Sequence, residues 1–457
     1  MPPLKDTLPR VLGHLIRPRS RACPLSTLSH MKTPRARNRN TALHRTSHGV
    51  LIPTRTFIPE GDKAGTTSQA APRFAFAFDI DGVLLHVAKP IPGATETLKY
   101  LQHHKIPFIL LTNGGGKHEH ERVKDLSNRL GVPLSPGNFV QSHTPFTELV
   151  HGSWSQDAPD GHAQGEPRKG LRKPGLADQN ILITGSDPEK SRLIAEAYGF
   201  RSVITPADIL AAHPTIFPFE TVRAVDAAAA RPLPSPNPRI AAIFVFNDPR
   251  DWALDTQIIT DLLLSRGGVL GTYSPRNGRA EHADHGWQGD GQPALYFSNH
   301  DLLWSAGYHL PRFGQGAFQA ALAGVWRQVT GGRAELRRTT IGKPYARTYG
   351  YAERVLAEWR AALLKGESGA DADVDMGVDL DVEPLNRVYM VGDNPESDIR
   401  GANEYASPRG TEWASILVRT GVWSEDRDGE PKYRPTVVMD DVKAAVEWAV
   451  KRERSAR

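Results

Sequence analysis

The sequence predicts an α/β protein: a doubly wound parallel sheet with a large α/β domain inserted in it. Three observations lead there. Short apolar runs alternate with helical patterns, as in βαβ units. Three of those runs stop at residues able to do chemistry: Asp79 and Asp81, Thr112 and Asn113, Asp393 and Asp398. A long interval, about 142–335, separates the second of these run-ends from the third and holds strands and helices of its own.

The chain has 457 residues, more than one compact core usually takes, so two domains or one large insertion are expected. Hydrophobic residues make up 39%, enough for a globular core. No run reaches the roughly 20 apolar residues of a membrane span. Cys23 is the only cysteine. That excludes an intramolecular disulfide and a cysteine-based zinc site.

The charge is uneven. Residues 1–59 hold eleven Lys or Arg against one acid, Asp6, while the whole chain carries +5. The folded body is therefore acidic, and the basic balance belongs to the N-terminus. A nucleic-acid surface is not expected from it. Residues 1–58 are rich in Arg, Ser, Thr and Pro, and Leu4, Leu8, Leu12 and Leu15 supply a helical apolar face. This is the composition of a mitochondrial transit segment, with a matrix destination expected. A basic tail that binds acidic surfaces is the alternative.

The core opens at 73. Phe74–Phe78 reads as a buried strand and ends at Asp79-Ile80-Asp81-Gly82. Residues two apart on an extended chain point the same way, so the two carboxylates converge. They repel each other unless a cation or a proton lies between them. An ordinary acidic turn is the alternative. A helix through Leu98 and Leu101 follows, then a strand, Ile106–Leu111, closed by Thr112-Asn113-Gly114-Gly115-Gly116-Lys117. Glycines let backbone N–H groups approach phosphate oxygens, and the next helix adds its positive end; a flexible turn is the alternative. The first part of the core thus spans 73–141 and reads β-α-β-α.

The insertion, 142–335, shows strands at Ile181–Thr184, Ile240–Phe246 and Ala294–Ser298, with helices at Ile258–Leu264 and Phe318–Trp326. Tracts 153–178 and 221–239 read as surface loops. The second part of the core spans 336–450. Lys343 stands before a helix, Tyr349–Leu364, where a cation is unfavourable for the dipole and suggests an anion to be met; an ordinary exposed lysine is the alternative. Residues 366–384 form an acidic low-complexity insert without the ligand order of a calcium loop. A strand, Arg387–Val391, leads into Gly392-Asp393-Asn394-Pro395-Glu396-Ser397-Asp398. A strand at Ser415–Arg419 and a helix at Val442–Val450 close the fold.

In a doubly wound sheet these strand ends share one crevice. Two acids, a hydroxyl, a lysine and a further pair of acids suit phosphoryl transfer. A carboxylate can attack phosphorus, a second can move the proton, and lysine and amides can stabilise the charge. Mg2+ favours carboxylate and water ligands.

The ordered set D-x-D-G-V, T-N, G-K-P and G-D-x-x-x-x-D resembles the signature of the haloacid dehalogenase superfamily. The T-N-G-G-G loop and the position of the insertion look like subclass IIA, whose cap domain lies between the second and third motifs. Gln141-Ser-His-Thr-Pro-Phe146, Phe246-Asn-Asp-Pro-Arg-Asp-Trp252, Tyr296-Phe-Ser-Asn-His-Asp-Leu-Leu-Trp304 and Arg312-Phe-Gly-Gln-Gly-Ala-Phe318 are similar to the mitochondrial cat eye syndrome critical region protein 5 branch. The resemblance covers about 73–447, and the three loops stand out as insertions. It implies a hydrolase of a small phosphorylated metabolite, with a loose link to glycerophospholipids. It implies Asp79 as nucleophile and Asp81 as general acid/base, with Thr112 and Lys343 holding the phosphoryl group. Mg2+ would sit on Asp79, Asp393 and the backbone carbonyl of Asp81, with Asp398 orienting Lys343 or a metal-bound water. Asn113 and Gly114 would meet phosphate or substrate. Asn299, His300 and Asp301, on the cap loop, would read the substrate, or else merely cap their loop. A phosphotransferase and a binding or scaffold protein remain the alternative functions. A homo-oligomer is compatible with all three.

Overall fold

Phe74–Phe78 (β1) is buried on both faces, as a central strand of a parallel sheet must be. The other main strands are Phe108–Leu111 (β2), Phe139–Val140 (β3), Asn180–Thr184 (β4), Ser202–Ile204 (β5), Ala242–Val245 (β6), Ala294–Phe297 (β7), Thr339–Thr340 (β8), Arg387–Gly392 (β9), Glu412–Val418 (β10) and Val437–Met439 (β11). The computed structural model describes residues 71–152, 175–219, 224–304, 308, 310–366 and 383–455. The basic segment 1–58, most of the tract 153–178, the start of 221–239 and nearly all of the acidic insert 366–384 lie outside them. The described residues belong to one compact unit, Phe57–Arg457.

Two sheets carry the fold. The six-stranded one runs β11-β10-β9-β1-β2-β3, parallel throughout. Side chains alternate across β1. Phe74, Phe76 and Phe78 pack with Leu98, Leu126 and Val446 from the helices Ala94–His103, Glu119–Leu130 and Val442–Ser455. Ala75 and Ala77 face the other way, where small side chains admit the helix Ala346–Lys365 through Tyr349, Ala352 and Leu356. Helices on both faces make the sheet doubly wound. The five-stranded sheet runs β8-β7-β6-β4-β5, also parallel. It has its own two apolar layers, one around Ile243, Ile258 and Phe318 and the other around Ile183, Phe244 and Ile194.

Element ends differ from the sequence expectation by a few residues. The strand expected at Ile106–Leu111 begins at Phe108, because Ile106 is still turning, its N–H donating to the Leu101 carbonyl. The strand expected at Ser415–Arg419 is Glu412–Val418. The helix expected at Tyr349–Leu364 is Ala346–Lys365, closed by Gly366 in the left-handed region at φ 82°. The edge strands β3, β5 and β11 have two or three residues each, too few to print a period on the sequence. Thr339 and Thr340 pair with Tyr296 and Phe297, so the five-stranded sheet continues past residue 335. Among the described residues no helix is long and apolar enough to cross a membrane.

Candidate active site

In the six-stranded sheet the strand order reverses between β1 and β9, the place where an open α/β sheet leaves a crevice at its carboxyl ends. Asp79 follows β1 and Asp393 follows β9. Asp79, Asp393 and Asp398 are all buried. One carboxylate oxygen from each lies within 4.8 Å of the others. Lys343, only 2% exposed, places its Nζ 2.5 Å from Asp79 Oδ1 and 2.8 Å from Asp398 Oδ1.

Three acids against one ammonium leave the cluster negative. Burial raises the Asp79 carboxyl well above its usual range, with Lys343 opposing and Asp398 and Asp393 adding to the rise. Burial and the charge of Asp398 push Asp393 up to about 7. Burial also works against the Lys343 charge, but Asp398 and Asp79 outweigh it and raise that pKa. A buried surplus of carboxylate is what a divalent cation neutralises, and an all-oxygen donor set suits Mg2+.

Neighbouring backbone shapes each acid. Asp393 Oδ2 accepts the Val422 N–H at 2.7 Å. Asp398 sits in the π-helical turn Pro395–Ile399, and its Oδ2 accepts the Asn394 N–H at 3.1 Å. Gly421 and Gly82 press against the Asp393 carboxylate so closely that a Cβ on either would collide with Oδ2. Neither glycine figured among the expected site residues, although Thr420-Gly421 follows a strand end as the other site loops do. Gly421→Ala is expected to displace Asp393 and lower the affinity of the acid cluster for an added divalent cation by about 10–100-fold, as loss of support does for carboxylate donors. Calorimetric titration with Mg2+ reads this; an unchanged titration in the variant would mean that Asp393 is not a ligand.

Asp81 is exposed, two residues beyond the buried Asp79. The surrounding protein still desolvates it enough to raise its carboxyl, against the pull of Arg122, Lys343 and Arg129. Thr112 is buried, and its Oγ1 accepts the N–H of the exposed Gly114 at 3.0 Å. Asn113 spends its amide on other groups. Oδ1 accepts the Lys343 N–H at 2.7 Å, and Nδ2 donates to the Lys343 carbonyl at 2.9 Å and to Asp301 Oδ1 at 3.1 Å. It therefore ties the lysine turn to the loop beyond β7.

That loop reaches the crevice. Asn299 Nδ2 donates to the Asn113 carbonyl at 3.4 Å, and its Oδ1 accepts the Asp301 N–H at 3.1 Å. Burial raises the Asp301 carboxyl to about 6, with the Asn113 hydrogen bond acting against the rise. His300 is exposed, its ring edge-on to Tyr345 with centroids 5.8 Å apart. Gly342, at φ 88°, admits no side chain. A Cβ there would come within 2.7 Å of the Ser298 carbonyl and 3.0 Å of Asn113 Oδ1.

A family model described as haloacid dehalogenase-like hydrolase matches residues 76–201, and a second model of that kind matches 340–445. A mitochondrial hydrolase of Saccharomyces cerevisiae is 38% identical over 388 residues, covering 83% of this chain and 96% of that protein. A cardiolipin synthase (CMP-forming)/mitochondrial hydrolase fusion protein of Schizosaccharomyces pombe is 39% identical over 379 residues, 82% of this chain. The match spans only about half of the fusion protein, 53%. Among solved structures, the p-nitrophenyl phosphatase of Archaeoglobus fulgidus aligns over 83% of this chain and 99% of its own, at 15% identity and a TM-score of 0.47.

Proposed function

The chain belongs to the haloacid dehalogenase-like hydrolase family, and from that premise we propose that it is a Mg2+-dependent phosphatase of small phosphate esters, acting in mitochondria. One observation carries the reading: a buried carboxylate, Asp79, ion-paired to a buried lysine within an acidic cluster, with a second, exposed carboxylate two residues on.

Asp79 attacks phosphorus, the ester P–O bond breaks, and Asp81 gives its proton to the departing oxygen. Asp81 then takes a proton from water as the water oxygen attacks phosphorus. The bond to Asp79 breaks and inorganic phosphate leaves. Lys343 and the Thr112 hydroxyl hold the phosphoryl oxygens, with the Gly114 amide orienting that hydroxyl. Asp79, Asp393 and the Asp81 carbonyl would hold Mg2+, which when bound neutralises charge on those oxygens. Asp398 keeps the lysine in place and lies close enough to share the cation.

The shared phosphate cannot distinguish one substrate from another, so discrimination falls to the loop Asn299–Asp301. Glycerophospholipid intermediates are the first class to test, since the fission yeast relative joins this kind of hydrolase to a cardiolipin synthase. The deciding experiment is phosphate release from an ester panel with and without Mg2+, using residues 60–457. No release from any ester sinks the reading, and transfer to an added alcohol in place of water would make the protein a phosphotransferase. Asp301→Ala is expected to reorder kcat/KM across the panel by about tenfold for esters with hydroxyl or amine donors. Equal losses on every ester would mean that the loop only supports the fold. Residues 1–72 fused to a reporter should reach mitochondria, and a cytosolic reporter would remove the targeting role.

A further inference from the structure

The Gln141–Phe146 segment has no place in the chemistry above, yet its Gln141, Ser142, His143 and Thr144 are all buried beside the glycine loop. His143 is fully buried. Its Nε2 accepts the Gly116 N–H at 3.3 Å, so that nitrogen carries no proton. The proton of the neutral ring then sits on Nδ1, which lies 2.7 Å from the Tyr198 hydroxyl and donates to it. Tyr198 in turn donates to Glu119 Oε1 at 2.5 Å, and Thr144 donates to the same oxygen at 2.7 Å. Every donor thus runs in one direction, from a backbone amide of the glycine loop to a buried carboxylate.

The chain joins parts of the molecule that are separate in sequence. Gly116 and Glu119 lie between β2 and β3 of the six-stranded sheet. Tyr198 ends the helix Pro188–Tyr198 that packs on the five-stranded sheet. The His143 ring also stacks on Phe246, at the end of β6, with centroids 5.1 Å apart and planes 7° from parallel. Independently, Gly116, at φ 90°, lies against the Asn247 amide so tightly that a Cβ there would strike Nδ2. A Cβ on Gly115 would lie 2.8 Å from Ser142 Oγ and 2.9 Å from His143 Cδ2. The loop bearing Thr112 and Gly114 is therefore packed against residues that follow β3 and β6. Burial lowers the His143 pKa to about 4, which keeps the ring in its neutral, one-donor form across the physiological range.

We propose that His143, Tyr198 and Glu119 are positioning residues: a hydrogen-bonded latch that holds the glycine loop against the inserted domain and so sets the phosphate cradle. This inference rests on the phosphatase reading for its kinetic consequence, and on hydrogen bonds alone for its structural one.

The test uses the full chain, with p-nitrophenyl phosphate and Mg2+ as the probe. Tyr198→Phe keeps the ring and cuts the relay, and Glu119→Gln keeps the shape and removes the charged acceptor. KM is expected to rise about tenfold in Tyr198→Phe, the size of one buried hydrogen bond to a charged network, with kcat within about threefold of wild type. Hydrogen–deuterium exchange should quicken in residues 112–118 and stay unchanged in β1 and β9. His143→Gln retains an acceptor for the Gly116 amide, so it should protect residues 112–118 better than His143→Leu. Wild-type KM and unchanged exchange at 112–118 in Tyr198→Phe would overturn the latch, and so would a lower melting temperature alone. If the wild-type chain turns over neither this ester nor any other of the panel, the phosphatase reading falls, and the exchange measurement by itself decides the latch.

Discussion

Asp79→Asn is expected to lower phosphate-ester turnover by at least about 1000-fold while the chain stays folded. An amide is isosteric with the carboxylate but is no nucleophile toward phosphorus. The stability side follows from charge. Asp79 stands in a cluster of three buried acids facing one lysine. Removing its charge loses one ion pair with Lys343 and relieves repulsion from Asp393 and Asp398, so the melting temperature should hold or rise. Steady-state release of phosphate, beside a thermal melt, reads both. A variant that turns over at the wild-type rate would exclude the covalent route, and an unfolded variant would mean that the ion pair is mainly structural.

Lys343→Ala should act on the fold as strongly as on the chemistry. The ammonium is buried against two carboxylates, and removing one partner of a buried pair leaves the other uncompensated, at a cost of about 3–5 kcal/mol. Urea unfolding without added metal measures that loss. Because the deficit is one of positive charge, millimolar Mg2+ should restore part of it by binding the folded acids. A loss below about 1 kcal/mol would be that of an exposed pair and would contradict the geometry. A loss that Mg2+ leaves unchanged would argue against the acids as its ligands.

Much of this was legible along the chain because strand ends are local events. Phe74–Phe78 followed by Asp79 and Asp81 announces a buried strand with convergent acids, since alternation and burial act over a few residues. The parallel sheet followed from strands separated by helices. The edge strands Phe139–Val140 and Val437–Met439 were not legible, because pairing with a neighbour, and not composition, makes them strands. Asn113 stood out as a residue of the glycine loop after a strand end. Its amide being spent on Lys343 and Asp301 became visible only once the two segments lay side by side.

By itself the sequence determined the order of the motifs, the type of sheet and the presence of an insertion, because these rest on spacing and apolar pattern within short windows. Tertiary structure alone decided that β1 and β9 are neighbours, and hence that Asp79, Lys343, Asp393 and Asp398 share one buried volume. It decided that Gly82 and Gly421 wall the Asp393 carboxylate, and that His143 lies between the glycine loop and Tyr198. Charge, hydrogen bonding and steric exclusion act over a few ångströms of space, and residues far apart in the chain come within that range only when the sheet has closed.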